Sequence, residues 1–167
     1  MFRRILVLLA ALAAIVVLAT PASAAGAGAV SVTQTFHNAT VTFLPPDPNA
    51  SNPCTGAPGI LTLTYNGVSH MTFLTSGVGA GTGWGTFTAT GSFTFQQFDP
   101  AVTFTGRFTN WDGFNMNLNN FTSTGTLSGR GTGTDGSSLT FHSVFHITAL
   151  NTNPPTIVVT FSKLSCG

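Results

Sequence analysis

Thr86-Phe87-Thr88-Ala89-Thr90-Gly91-Ser92-Phe93-Thr94-Phe95-Gln96-Gln97 alternates up to its last residue: Phe87, Ala89, Gly91, Phe93 and Phe95 at odd positions, hydroxyl or amide residues at even ones. Successive side chains of a β-strand point to opposite faces, so this run reads as an antiparallel strand with one face in a core and one in water. Val102 to Trp111 repeats the pattern with Val102, Phe104, Gly106 and Phe108 inward. Between the two, Asp99-Pro100 breaks the chain.

Working outward, Val30 to Leu44 is extended, but its apolar positions switch from even (Val30, Val32, Phe36) to odd (Val41, Phe43). An extra residue near His37-Asn38-Ala39, a β-bulge, accounts for the switch. A proline-rich loop follows, from Pro45-Pro46-Asp47-Pro48 to Pro58-Gly59. Ile60 to Tyr65 and Val68 to Thr75 flank Asn66-Gly67, a dipeptide that predicts a two-residue hairpin turn. Asp112-Gly113 likewise predicts a turn, into Phe114 to Leu118. Thr122 to Gly133 and Ser138 to Leu150 are expected to pair through Thr134-Asp135-Gly136, with Gly136 left-handed. That register sets Gly131 against Leu139, Gly129 against Phe141 and Gly125 against Phe145, glycines making room for rings. Thr156 to Leu164 closes the chain. No window has a sustained helical period.

The expected fold is therefore all-β: one antiparallel barrel of eight or nine strands, lipocalin-like or dirigent-like in build, with a β-sandwich as the alternative. Its expected core is Phe87, Phe93, Phe95, Phe104, Phe108, Phe141, Phe145, Ile157, Val159 and Phe161.

Met1 to Ala24 reads as an export signal. Arg3 and Arg4 form the basic start, Ile5 to Ala19 the apolar stretch, and Thr20-Pro21-Ala22-Ser23-Ala24 a small-residue exit of bacterial style. Residues 25–167 then form a single domain, expected to be secreted and extracellular, with no membrane association once the signal is cleaved. That domain has three cations, Arg107, Arg130 and Lys163, against Asp47, Asp99, Asp112 and Asp135, and no glutamate. Only 5% of the whole chain is charged, and its 28 threonines carry much of the polar surface. Without a basic stripe, nucleic acid is a poor partner. Cys54 and Cys166 are the only cysteines, and export makes them a disulfide pair.

The mature chain resembles a family of small secreted bacterial all-β proteins with a two-cysteine framework and no known function. The similar segments are Thr35-Phe36-His37-Asn38, Asn52-Pro53-Cys54-Thr55-Gly56, Thr64-Tyr65-Asn66-Gly67-Val68, Gly131-Thr132-Gly133-Thr134-Asp135-Gly136-Ser137 and Phe161-Ser162-Lys163-Leu164-Ser165-Cys166-Gly167. The resemblance implies export and the cysteine framework, and it names no catalytic residue.

Catalytic signals are sparse. All four aspartates read as turn residues. Gly131-Thr-Gly133-Thr-Asp-Gly136 runs into a strand, where a phosphate cradle needs a helix. His142 and His146 are spaced for a metal on a helix, but on a strand their Cα atoms stand about 13 Å apart, so no metal is expected. No catalytic residue and no cofactor are assigned. Candidate ligand contacts are His142, His146 and Arg130 on the face opposite the core, with Trp84 and Trp111 of off-core parity. The expected function is a secreted, non-enzymatic barrel for a small apolar or amphipathic ligand or a surface glycan. The alternatives are a structural or self-associating surface protein and a barrel enzyme of the cyclase or isomerase kind. Oligomeric state is left open.

Overall fold

The computed structural model describes residues 28–150 and 156–167, so the export segment Met1–Ala24 lies outside it, as do the side chains of Val159 and Thr160. Among the described residues seven strands follow one another: β1 (Ala29–Phe43), β2 (Gly59–Leu74), β3 (Gly83–Gln97), β4 (Val102–Met116), β5 (Asn120–Gly133), β6 (Ser138–Leu150) and β7 (Thr156–Cys166). They form one antiparallel sheet in the order of the chain. Among the described residues β1 and β7 do not pair with each other, so hydrogen bonding does not close the sheet into a barrel.

The sheet nevertheless curls. Phe93 of β3 and Phe141 of β6 have ring centroids 6.4 Å apart although two strands lie between them. Glycines permit this. A Cβ on Gly106 or Gly131 would stand 2.7 Å from the Phe93 ring, and one on Gly129 would run into Phe141. The rings thus lie across bare backbone and meet over the concave face.

Burial follows strand parity. Phe93, Phe95, Phe104, Phe108 and Phe145 are buried as expected, and Phe87 and Phe141 pack half-buried against them. Tyr65, Ala89, Val102 and Leu139 join Phe93, Phe95, Phe104 and Phe108 in one cluster, and Phe43, Phe145 and Ile147 are buried outside it. Tyr65 sits among Phe36 and Phe87 at centroid distances of 5.9 and 6.3 Å, and burial pushes its phenol up.

Two expected core members are not in the core. Phe161 is 49% exposed, because a register shift at His146/Ile147 moves it to the outer face opposite His146. Ile157 keeps inner parity opposite Ala149, yet it is 44% exposed on a strand that has no strand on its far side among the described residues. Val159 also falls on the inner face by register.

Two expected turns are strand interior. β2 runs straight through Asn66-Gly67, and β4 through Asp112-Gly113. In β2 the odd positions Leu61, Leu63, Tyr65, Gly67, Ser69, Met71 and Phe73 share one face throughout, and pairing with β1 and β3 continues past the dipeptide. Asn66 serves the bulge: its Oδ1 accepts the N–H of Asn38, at 3.0 Å, where Asn38 takes a positive φ of 49°. The register of β1 shifts there, between Phe36 and Ala39, as the parity switch predicted. The β5–β6 hairpin has the expected register as well, with Gly136 at φ +84°.

The Leu44–Pro58 loop crosses one end of the curled sheet. Asn52 donates from Nδ2 to Gln97 Oε1 at the end of β3 (2.9 Å), both side chains being buried. Cys54 is disulfide-bonded to Cys166 at the end of β7, with Cα atoms 5.9 Å apart, and its sulfur lies 3.7 Å from the Thr140 carbonyl oxygen. This end is therefore closed by a pinned loop and filled by phenylalanine.

Candidate functional site

Rows of residues in register run across the inner face, and their character changes along the strands. Toward the pinned loop the rows hold the phenylalanine core. The next level is polar: Gln34, Ser69 and Asp112 share a row with Phe87, Gly125, Phe145 and Ser162. Asn110 and Ser143 stand in the row below, and Ser123 in the row above. Beyond this belt the inner face is apolar again, with Val30, Val32, Met71, Phe73, Phe114, Met116 and Phe121, all half-buried. Phe114 and Phe121 stack at 6.2 Å with their planes 23° apart.

Asp112 is the centre of this belt. Its position follows from β4 parity: Phe104, Gly106, Phe108, Asn110 and Asp112 share a face, so a strand that continues through Asp112 must turn it inward. Asn110 donates from Nδ2 to Asp112 Oδ2 at 2.5 Å. The other oxygen, Oδ1, occupies the space where a side chain at position 125 would begin, so glycine there is what admits the carboxyl. Burial raises its pKa from 3.8 to about 6, with the Asn110 hydrogen bond pulling the other way. Nearby, Ser123 is 1% exposed and its Oγ has no hydrogen-bond partner among the described residues. A half-buried carboxyl, an amide and hydroxyls beneath an apolar rim can receive a molecule with a polar head and an apolar body.

The residues singled out from sequence, His142, His146, Arg130, Trp84 and Trp111, all lie on the outer face. His142 accepts or donates through Nδ1 to Ser128 Oγ (2.6 Å), and His146 through Nδ1 to Thr124 Oγ1 (2.6 Å), so each ring is held by its own cross-strand hydroxyl. The structure does not bring the two imidazoles together. Arg130 is exposed opposite Arg107. Trp84 and Trp111 are 41% and 43% exposed. Among the described residues no three His, Cys, Asp or Glu side chains converge on a metal position, and no helix is long and apolar enough to cross a membrane.

Sequence reasoning missed Asp112 because Asp-Gly is a turn signal. Parity was the signal that could have found it: Asp112 follows Phe104 and Phe108 at even spacing. Of the other three aspartates, Asp47 accepts the Asn49 N–H within the first loop, and Asp135 accepts Ser137 N–H and Oγ–H, which lowers its pKa. No family model, no curated protein and no solved structure matches the chain.

Proposed function

We propose that this is a secreted binding protein that works as a partly open β-barrel and takes a small amphipathic molecule into the unfilled end of its concave face. The observation behind this reading is the placing of Asp112, a half-buried carboxyl set below an apolar rim and hydrogen-bonded by the Asn110 amide. The ligand's hydroxyl, amide or amine would meet Asp112 and Asn110, and its apolar body would lie on Phe73, Phe114, Met116 and Phe121. A carboxyl that titrates near pH 6 also suits proton transfer, the isomerase alternative. Its inner-face neighbours among the described residues include no imidazole, amine or guanidinium, so binding is the reading we adopt.

Native mass spectrometry of protein purified from its own culture medium tests the reading, together with titration by the neutral fluorophore N-phenyl-1-naphthylamine. A bound small molecule, or saturable probe fluorescence weakened in Phe121→Ala, is the expected result. The absence of both an adduct and saturable fluorescence would refute it.

A second reading, self-association, has one observation in its favour. β1 and β7 both have an unpaired edge among the described residues, and β1 has no Lys, Arg, Asp or Glu in fifteen positions. Charged residues are a common guard against edge-to-edge pairing. Light scattering across a range of protein concentrations distinguishes a monomer from such an assembly.

A further inference from the structure

The outer face carries an arrangement that the concave site does not use. Trp111 lies beside Gly113, and a Cβ on that glycine would stand 3.3 Å from Cη2 and 3.4 Å from Cζ2 of the indole. Glycine at 113 is thus a seat on which the six-membered ring of Trp111 rests, while the side chain stays 43% exposed. Trp84, on the next strand, pairs with Asn115, four residues beyond Trp111 along β4. At strand spacing the two Cα atoms are separated by about 13 Å along the strand and about 5 Å across it. The exposed hydroxyl of Thr86 lies between them opposite Gly113, and that of Thr88 stands beside Trp111. His70 flanks the same row beside Thr86; its Nδ1 is engaged by Thr33 Oγ1 at 2.8 Å, so Nε2 is the atom it can offer.

We propose that this face, built on Trp84 and Trp111, is a second binding site and takes an uncharged β-1,4-linked polysaccharide chain. Indoles present apolar faces that match the C–H faces of pyranose rings, and the hydroxyls and imidazole around them match the ring's own hydroxyls. The Trp111 ring extends over Gly113 toward Trp84, so the two indoles lie along one strip of the sheet that is longer than a single pyranose ring, and a chain is the ligand that covers it. A β-1,4 chain is an extended ribbon that lies along a strand. Charge argues for a neutral ligand: the rows containing Trp84 and Gly113 hold no Lys, Arg, Asp or Glu, and in the Trp111 row Lys163 is three strands away. The nearest cations on this face, Arg107 and Arg130, stand two rows beyond Trp111 on the side away from Trp84, so the strip between the two indoles itself has no charge to attract an anionic membrane surface.

The test is direct because these are the only two tryptophans in the chain. Tryptophan emission is titrated with cellohexaose in one arm and chitohexaose in the other, with glucose and N-acetylglucosamine as single-ring controls. Saturable change with at least one hexaose and none with the single sugars is expected, and the responsive arm identifies the chain. Trp84→Ala and Trp111→Ala should each weaken that binding at least tenfold, measured by calorimetry, with the thermal midpoint within a few degrees of wild type. Gly113→Ala, which lifts the indole, should weaken it several-fold without removing either tryptophan. No change with either hexaose, affinity unaltered in both tryptophan variants, or an emission shift produced instead by phosphatidylcholine vesicles would each overturn the proposal. None of these outcomes depends on Asp112.

Discussion

Replacing Asp112 by Asn should make the protein more stable at neutral and alkaline pH. The carboxyl has a pKa of about 6 in the folded chain against 3.8 for the ordinary group, because burial disfavours its charge. Between those two values the folded state holds its proton while the unfolded state releases it. Stability contributed by this group is therefore full below pH 3.8, falls as pH rises toward 6, and stays low above that. A shift of roughly two units corresponds to about 3 kcal/mol as an order of magnitude. Asn at 112 is nearly the same shape, still offers Asn110 an acceptor oxygen, and has no charge to desolvate. At pH 8 urea unfolding with the disulfide intact should thus give Asp112→Asn about 2–3 kcal/mol more stability than wild type. The difference should shrink steadily from pH 6 to pH 4. The other carboxylates are common to both proteins and cancel. Equal stability at pH 8 would show that the carboxyl is well solvated, and a less stable variant would show that it has a cationic partner; either result removes Asp112 from the candidate site. The expected gain would mark a group that costs the fold stability, as functional residues often do.

Phe95→Ala should lose about 3–5 kcal/mol, since that ring is 2% exposed, whereas Phe161→Ala and Thr90→Ala on the outer face should each lose under about 1 kcal/mol. The Cys54→Ala/Cys166→Ala double variant should be less stable by up to about 4–5 kcal/mol, since the bridge closes a 112-residue separation; alkylation of unreduced protein should modify no cysteine. Gly129→Ala should unfold at lower denaturant than Gly136→Ala opens the hairpin turn, because a methyl at 129 strikes the Phe141 ring whereas position 136 has nothing within 4 Å and only φ strain. Calorimetric titration with zinc should show no sub-micromolar site that disappears in both His142→Ala and His146→Ala, because each ring is held separately by Ser128 or Thr124.

The alternation of Thr86–Gln97 and Val102–Phe108 was legible because a half-buried strand must repeat every two residues, and the three-residue turn at Thr134–Gly136 fixed the β5–β6 register. Asn66-Gly67 and Asp112-Gly113 misled because turn preference is local, whereas both dipeptides lie between two neighbouring strands whose pairing carries the chain straight on. The burial of Asp112 was hidden with that turn. Phe161 was misplaced by a single shift of register near His146, which leaves no mark in the composition of the strand. The two tryptophans were correctly placed off the core by parity, but their common face could not be read until β3 and β4 were in register.

Each strand of the sheet pairs with the strands just before and after it in the chain, so the molecule is a strip of successive hairpins. A strip of this kind has no intrinsic length: a hairpin could be added or deleted and the remaining pairings would stand, as in repeat proteins. The Leu44–Pro58 loop is the exception. It leaves β1, touches β3 through Asn52, and reaches the end of β7 through Cys54. Its reach fits a strip of one width and curvature, so a chain with a hairpin more or fewer would carry its last cysteine away from Cys54. The bridge thereby acts as a ruler, and forming it counts the strands.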